Sequence, residues 1–327
     1  NNTLVKGNEV FTGNGDNPLS VAYDPKNGLV YVTNYNGIVS VVNVSLKRVI
    51  NTISLGGPCN VSATSIIYVP SNGLIYVAGL HSGLYLGYLK SEVVYVIDPS
   101  TNKVVDKIVL GPVPLTPISI GPIPLGMTFD PKNGLLYVAS SFTNSVIAID
   151  TVNNSIVANI SVGKCPVSLA YDPSNGLLYV VNSESGTISV INTSTNKVVA
   201  TIDVAPYLCL SSVVYDPDTG YIYVGVGGSR GENTQGQAGG LYVINPSTEE
   251  ITANITSDLP SVTAMLFDPL TENIYLSTPS GIIIFDPENN SAIGQIPGSI
   301  VSPYGMAIDQ SGNYLYVAAP GIGALSV

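Results

Sequence analysis

The sequence predicts an all-β fold, a single seven-bladed β-propeller with four-stranded antiparallel blades, and three observations lead to it. Seven copies of one turn-and-strand unit follow each other in phase along nearly the whole chain. The 33 glycines and 23 prolines among 327 residues interrupt the chain too often for long helices. No charge run or Ser/Gly linker divides the chain, so we expect one domain over residues 1–327.

The repeat consists of a turn and a tyrosine in the strand that follows it. In the first copy the turn is Asp24-Pro-Lys-Asn-Gly28, and Tyr31 follows three residues later. The seven tyrosines are spaced by 45, 61, 42, 44, 52 and 41 residues, and they are Tyr31, Tyr76, Tyr137, Tyr179, Tyr223, Tyr275 and Tyr316. Such spacings are typical of propeller blades.

Two hairpins make up each copy, which gives four strands that we label a to d. In the first hairpin the Asp side chain caps the turn, Pro presets φ, and Asn-Gly supplies the positive φ. The second hairpin is exemplified by 188–192 and 197–202, joined by a Thr-Ser-Thr-Asn turn. A radial ring buries both faces of every sheet and leaves only short outer edges, so the pattern favours a propeller over a sandwich.

The two ends of the chain are predicted to complete each other. The last copy stops after its strand c, near residues 323–327, while residues 3–12 precede the first strand a. We therefore expect this N-terminal strand to join the last blade as its outer strand and to close the ring.

The two faces of the predicted ring differ. The a–b and c–d turns emerge on one side, which we call the plain face because they are short and regular. The b–c and d–a connections emerge on the other, the elaborated face, and carry the insertions at 79–92, 111–124 and 225–240. Variable loops on a rigid scaffold often bind partners. Candidate binding residues are His81, Tyr85, Arg230 and Glu232. The alternative is that the insertions are variable surface loops without a binding partner.

Tyr31-Val-Thr-Asn34 and Tyr179-Val-Val-Asn182 resemble the YVTN-repeat β-propeller family, many of whose members are archaeal surface-layer and cell-surface proteins. The resemblance covers nearly the whole chain and implies an extracellular location. It also implies contact with protein or surface glycan, including self-assembly in a cell-surface layer or filament. Val69 replaces the turn Asp in the second copy, and Gln310 replaces the Pro in the last.

Charge argues against several partners. The formal net charge is -11 with 11 Lys and Arg, which gives no electrostatic footprint for nucleic acid or anionic lipid. No window approaches the roughly 18 to 20 apolar residues of a membrane helix, so no membrane span is expected in this segment.

Sequons and cysteines add expectations for an extracellular protein. Predicted glycosylation sites are Asn43, Asn153, Asn192 and Asn289 at plain-face c–d turns, Asn159 and Asn254 on outer strands, and Asn60. The alternative is that Asn and Ser simply favour turns. We expect all three cysteines in d–a connections, where Cys165 and Cys209 could form a disulfide; three buried thiols are the other interpretation.

We expect a non-enzymatic surface, adhesion or cell-envelope structural module, with no cofactor and no metal. A single histidine makes Cys/His metal sites improbable. Most carboxylates occupy plain-face turns or the ends of strands c. The alternative is a lactonase-type or hydrolase-type propeller whose site would use residues at the channel mouth, such as Glu184 and Asp258.

Overall fold

The computed structural model describes residues 9–13, 17–56, 61–82, 90–113, 126–205, 208–229, 239–255, 259–296, 304–309 and 314–327. Within these residues, 28 strands form seven separate four-stranded antiparallel sheets. The sheets are the blades of a β-propeller around a central channel. The predicted fold class is confirmed.

Each blade runs from strand a at the channel to strand d at the outer rim. The a strands of blades 1 to 7 are β2 (Pro18–Asp24), β6 (Val61–Val69), β10 (Met127–Asp130), β14 (Pro166–Asp172), β18 (Leu208–Tyr215), β22 (Ala264–Asp268) and β26 (Met306–Ile308). The b strands are β3 (Leu29–Asn34), β7 (Leu74–Ser82), β11 (Leu135–Ser140), β15 (Leu177–Asn182), β19 (Ile222–Ser229), β23 (Asn273–Thr278) and β27 (Leu315–Ala319).

The c strands are β4 (Ile38–Asn43), β8 (Lys90–Asp98), β12 (Ser145–Asp150), β16 (Thr187–Asn192), β20 (Gly240–Asn245), β24 (Gly281–Asp286) and β28 (Ala324–Ser326). The d strands are β5 (Arg48–Ser54), β9 (Lys103–Val113), β13 (Ser155–Ser161), β17 (Lys197–Asp203), β21 (Glu250–Ile255), β25 (Ser291–Ile296) and, in blade 7, β1 (Glu9–Phe11). A 3-10 turn, Pro320–Ile322, joins β27 to β28.

The ring closes through the two ends of the chain. Strand β1 pairs antiparallel with β28, with Glu9 opposite Ser326 and Phe11 opposite Ala324. The predicted closing strand is thus confirmed over 9–11, and residues 3–8 of the predicted 3–12 lie outside the described residues. Closure of this kind joins the first and last blades without a covalent link.

The hydrophobic core is divided among the seams between blades. Among the described residues, buried apolar side chains form seven clusters, and each cluster joins two neighbouring blades around the ring. Because both faces of a blade are covered, the middle strands are nearly continuous apolar runs. Five of the repeat tyrosines are among the largest fully buried side chains: Tyr31, Tyr76, Tyr137, Tyr179 and Tyr223.

The a–b turns have the geometry that the repeat predicts. Asp24 Oδ1 accepts a hydrogen bond from Lys26 N at 2.9 Å, and the same contact caps the turns of blades 3 to 6. Gly28 has φ +70°, where a glycine has no Cβ to clash. Blade 6 departs from this pattern, since Glu272 holds the corresponding position at φ 58°.

The repeat tyrosine and asparagine link neighbouring blades through what we call the tyrosine latch. Tyr76 Oη donates to Asn154 Oδ1 in the c–d turn of blade 3 at 2.7 Å. The asparagine of its own a–b turn, Asn72, donates from Nδ2 to the same hydroxyl at 2.9 Å. The same pair of contacts joins Tyr31 to Asn102 and Asn27, and Tyr137 to Asn196 and Asn133.

Other seams vary the latch. Tyr223 Oη donates to the backbone oxygen of Pro287 in blade 6 at 3.0 Å. At the seam between blades 4 and 5, Glu249 holds the position of the accepting asparagine. There the Tyr179 hydroxyl is buried and has no hydrogen-bond acceptor in the described part of the chain, although the Asn175 side chain of its own a–b turn acts on it as a hydrogen-bond donor. At the seam between blades 7 and 1, Lys47 holds that position.

Among the residues that the structure describes, no helix has the length and apolar character needed to cross a bilayer.

Candidate functional site

The central channel contains a cavity of about 250 Å³ toward the elaborated-face ends of the a strands. All seven blades contribute to its wall. Hydroxyl groups dominate its polar surface, from Ser20, Thr64, Ser65, Ser168, Ser211, Ser212, Thr263 and Tyr304. Several of these hydroxyls hold the backbone of the ring itself: Ser168 Oγ accepts from Val213 N at 3.2 Å, and Ser211 Oγ donates to Val262 O.

The rest of the channel wall is apolar and closely packed. All three methionines of the chain, Met127, Met265 and Met306, line the cavity. Gly305 allows blades 7 and 1 to approach here, because a Cβ at this position would lie 2.6 Å from Ser20 Cα. The described lining contains no carboxylate, amine or imidazole. The cavity therefore suits a small neutral molecule or water better than acid–base chemistry.

Strands of blades 2 and 5, which lie on nearly opposite sides of the channel mouth, extend further on the elaborated face than those of blade 1. In blade 2, β7 and β8 span nine residues each, against six for β3 and β4 in blade 1. In blade 5, β18 and β19 span eight residues each and pair as far as Leu208 and Ser229, whereas the ladder between β19 and β20 ends at Val226 and Gly240. The predicted loops at 79–92, 111–124 and 225–240 need correction at their ends, since 79–82, 90–92, 111–113, 225–229 and 240 are strand residues. Directly opposed pairs such as His81 and Ser91 continue the β7–β8 ladder, so the backbone N–H and C=O groups keep their hydrogen bonds.

His81 belongs to a small cluster on the side of blade 2 that faces blade 1. Its Nδ1 lies 2.6 Å from the Tyr95 hydroxyl, and Lys107 Nζ lies 5.6 Å from the centre of the Tyr95 ring. Burial lowers the pKa of His81, and the Lys107 ammonium lowers it further. Burial also raises the pKa of Tyr95 to about 12. A neutral imidazole and a neutral phenol therefore share this hydrogen bond, which makes His81 a half-buried structural partner of Tyr95.

Glu92 lies fully buried between blades 2 and 3, a position that the sequence did not predict. Ser140 Oγ donates a short hydrogen bond to Glu92 Oε2, and Phe142 N donates to Oε1 at 3.5 Å. Thr143 extends the network to Ser145 with a 2.6 Å contact. Burial raises the pKa of Glu92 above its usual value of 4.5, and these hydrogen bonds act in the opposite direction.

The predicted binding residues are only partly described. Tyr85, Arg230 and Glu232 lie outside the described residues, as do the greater parts of the three insertions. Glu184 is exposed on the elaborated face, where its backbone nitrogen donates to Lys164 O at 3.1 Å. Asp258, the other carboxylate of the enzyme alternative, is also outside the described residues. No cluster of three or more His, Cys, Asp or Glu side chains suited to a metal occurs in the described ranges.

The asparagines of the predicted glycosylation sites fall into an exposed group and a half-buried group. Asn153, Asn159, Asn254 and Asn289 are exposed, whereas Asn43 and Asn192 are half-buried at the ends of β4 and β16. Asn43 Oδ1 accepts from Leu46 N at 3.0 Å, so the amide oxygen shapes the turn. Asn289 Nδ2, the atom that a glycan would modify, donates to Asp286 Oδ2 at 2.7 Å. Asn60 lies outside the described residues.

The cysteine predictions need two corrections. Cys209 is the second residue of β18, not part of a d–a connection. The structure also forms no disulfide between Cys165 and Cys209. Cys165 packs against the cluster that contains Leu208 and Leu210, and strand alternation turns Cys209 to the opposite face of β18 from those two leucines. Cys59 lies outside the described residues.

Comparison with known proteins supports the fold. No protein-family model matches the chain, and no curated protein sequence matches it. Among solved structures, the chain is similar to one from Kuenenia stuttgartiensis titled hydrazine synthase, with a TM-score of 0.76 at 17% sequence identity. The match covers 94% of both chains. At this identity the likeness shows a shared β-propeller fold and does not transfer an activity.

Proposed function

We propose that this chain is a non-enzymatic extracellular module of a cell surface or envelope, and that it binds protein or carbohydrate through its elaborated face. The observation that carries the proposal is the extension of strands in blades 2 and 5 on the elaborated face, where Lys90 pairs with Val113 and Leu208 pairs with Ser229. These two blades lie on nearly opposite sides of the channel mouth, on a ring whose other face has short turns. Variable segments on a rigid scaffold are where binding surfaces are most often found.

Two sequence properties agree with this role. Charged residues make up 10% of the chain, so most polar groups on the surface of this protein are hydroxyl, amide and tyrosine groups. Groups of this kind suit glycans and neutral protein surfaces more than phosphate or nucleic acid. The resemblance to YVTN-repeat propellers supports a cell-surface setting, including assembly with further copies in a layer or filament.

An attachment assay with two hairpin deletions tests the face assignment. In blade 2, residues 82–90 are replaced by Asn-Gly, because the opposed pair His81 and Ser91 then flank a two-residue turn. In blade 5, residues 227–239 are replaced in the same way between the opposed Val226 and Gly240. We expect binding of labelled protein to purified envelopes of the source organism to fall about tenfold or more in each case.

A plain-face variant provides the control. Val152 is 89% exposed in a turn of blade 3, so Val152→Ser changes the opposite face without disturbing the fold. This variant should attach like the parent protein. Full attachment by both folded deletion variants would show that the elaborated face is not the binding surface.

Glycopeptide mass spectrometry on protein from the native source tests the extracellular location. We expect glycans at several of the plain-face sequons Asn43, Asn153, Asn192 and Asn289. Uniformly bare asparagines in a source that glycosylates its surface proteins would contradict the location.

The enzyme alternative has one observation in its favour. A carboxylate and an amine, those of Glu184 and Lys164, belong to adjoining segments on the elaborated face of blade 4. If a lactonase or hydrolase site used them, Glu184→Ala would abolish turnover of a lactone and ester panel while leaving the melting temperature unchanged. We expect the parent protein to turn over no member of that panel.

A further inference from the structure

A second cavity lies on the plain face, far from the surface proposed above. It occupies the seam between blade 7 and blade 1, where the ring closes, and has a volume of about 560 Å³. Its wall includes Tyr23, Tyr314 and Tyr316, and its polar groups include Ser45, Lys47 and Asp309. This volume lies within the usual range of about 300 to 1,000 Å³ for a small-molecule site. We call it the seam pocket.

Substitutions at this seam distinguish it from the latched seams. Where three blades carry the asparagine that accepts a hydrogen bond from a repeat tyrosine, blade 1 carries Lys47. Two residues before the repeat tyrosine, blades 1 to 4 carry leucine, whereas blade 7 carries Tyr314. The first change replaces a short amide with a long side chain that ends in an ammonium, and the second replaces an apolar side chain with a phenol. The seam therefore has an aromatic wall and an opening to the plain face.

Three tyrosine rings form a continuous stack along the pocket. The Tyr23 and Tyr316 ring centres are 5.9 Å apart with the planes at 23°. The Tyr314 and Tyr316 centres are 6.5 Å apart with the planes at 21°. Tyr316 is buried, whereas Tyr314 is 50% exposed. Burial raises the pKa of Tyr316 well above its usual range, and the nearby Asp309 carboxylate raises it further, so this phenol stays neutral.

The polar groups of the seam pocket determine which kind of ligand can bind against the three tyrosine rings. Asp309 is buried, and its Oδ1 accepts from Tyr314 N at 3.1 Å, which fixes the carboxylate beside the aromatic wall. Lys47 supplies an ammonium, and Ser45 supplies a hydroxyl. Charges of both signs favour a neutral ligand with many hydroxyl groups over an anion or a cation. A ring with one apolar face and polar edges satisfies both the aromatic stack and these groups.

We propose that the seam pocket binds a pyranose ring, with its apolar face on Tyr314 and its hydroxyl groups toward Asp309, Lys47 and Ser45. Two sources can supply this sugar. One is an N-linked glycan of the same chain, because the sequon Asn43-Val44-Ser45 includes two residues of the pocket wall. The other is a saccharide of another molecule. The first source rests on the extracellular location proposed above, and the second does not.

The binding test uses protein made in a host without N-glycosylation, so that Asn43 is bare. Saturation-transfer NMR with methyl glucoside, methyl mannoside and methyl N-acetylglucosaminide should give a signal that saturates with at least one sugar. Tyr314→Ala removes the exposed ring and should weaken that binding about tenfold or more. The control is Leu270→Ala, since Leu270 is 65% exposed in the plain-face a–b turn of blade 6, outside the lining of the seam pocket, and should be dispensable.

Several results would overturn the proposal. One is no saturable signal with any of the sugars for the folded parent protein. Another is an equal loss of binding in Leu270→Ala and Tyr314→Ala. Neither result would affect envelope attachment through the elaborated face, so failure here is distinguishable from failure of the proposed function.

A second arm separates the two sources and uses protein from the native host. If the glycan on Asn43 occupies the pocket, the glycosylated protein should not bind the free sugars, and Asn43→Gln should restore binding. If the sugar comes from another molecule, glycosylated and bare proteins should bind equally. Glycosylated protein that binds nothing both before and after Asn43→Gln, while the bare protein binds, would contradict both sources.

Discussion

The three seams that join blades 1 to 4 differ from the seam between blades 4 and 5 in the tyrosine latch. Each of the first three seams has a buried tyrosine hydroxyl that donates to an asparagine in the next blade. At the fourth seam Glu249 replaces that asparagine, and the buried Tyr179 hydroxyl has no described acceptor in the next blade. The tyrosine of the repeat is therefore retained for its packing even where its hydrogen bond to the next blade is lost.

The seam between blades 7 and 1 extends this comparison. There the replacement is Lys47, and a pocket with a tyrosine wall opens instead of a closed interface. Loss of the asparagine thus has two structural results, a hydroxyl without a described acceptor in one seam and a candidate binding site in the other. The latch explains why the repeat contains both tyrosine and asparagine, and departures from it identify the seams available for other roles.

Removal of the hydroxyl should give the largest difference between the two kinds of seam. Tyr137→Phe leaves Asn196 Oδ1 without its donor at a latched seam, and we expect it to lower the free energy of unfolding by about 1 to 3 kcal/mol. Tyr179→Phe removes a hydroxyl that has no described acceptor, so it should lower the free energy of unfolding much less. Equilibrium urea unfolding of both variants measures the difference, and equal losses would contradict the latch.

The elaborated-face side of the seam between blades 2 and 3 should respond to pH through Glu92. Its folded pKa is raised by burial, so the stability that it contributes is complete below the unfolded pKa and is lost as pH rises through the folded pKa. Glu92→Gln keeps the shape and the neutral charge. We expect the variant to be more stable than the parent at pH 7, by about 1 to 3 kcal/mol, and equally stable near pH 4.

Urea unfolding at a series of pH values tests the Glu92 prediction. The parent protein should lose stability from about pH 4 to pH 7 relative to the variant. A constant difference across that range would show that Glu92 titrates normally despite its burial.

Restoring the missing asparagine should strengthen the seam between blades 4 and 5. Glu249 is exposed and has φ 59°, a conformation that asparagine adopts more easily than glutamate. Glu249→Asn should supply an acceptor for Tyr179 and raise the free energy of unfolding by about 1 kcal/mol. Glu249→Gln, which keeps the longer side chain, is the control and should gain little.

The smallest effect is expected in the a–b turn of blade 6. Glu272 has φ 58° at a position where blades 1 to 5 carry glycine. Glu272→Gly should therefore stabilise the protein by about 0.5 to 1 kcal/mol. Gly134→Ala is the matched opposite change, since its Cβ would meet open space and any loss reflects φ alone. Thermal unfolding of both variants checks the signs, and a loss in Glu272→Gly would show that the glutamate side chain makes a compensating contact.

The repeat made most of the fold predictable. Turn chemistry is local, so Asp24, Gly28 and their counterparts could be interpreted from neighbouring residues, and the missing outer strand of blade 7 followed from counting strands. The latch could not be predicted in this way. Tyr76 and Asn154 are 78 residues apart, and their contact depends on which turn of the next blade lies above the hydroxyl.

The candidate sites were less predictable than the fold. From the sequence, Glu92 would be assigned to a loop because it lies within an insertion. In the structure β8 extends through Glu92, which places its side chain on the face that packs against blade 3. Counting back from Asp98 with period two gives the face but not the length of the strand. The seam pocket combines residues from both ends of the chain, so it required the closed ring.

A double-mutant cycle on Tyr179 and position 249 tests the central claim most directly. The free energy of unfolding is measured for the parent protein, Tyr179→Phe, Glu249→Asn and the double variant. If the tyrosine–asparagine pair is a latch, Glu249→Asn should stabilise the parent but not Tyr179→Phe, with a coupling of about 1 kcal/mol. Additive effects of the two substitutions would show that asparagine acts through its turn conformation alone, and would contradict the account of the seams.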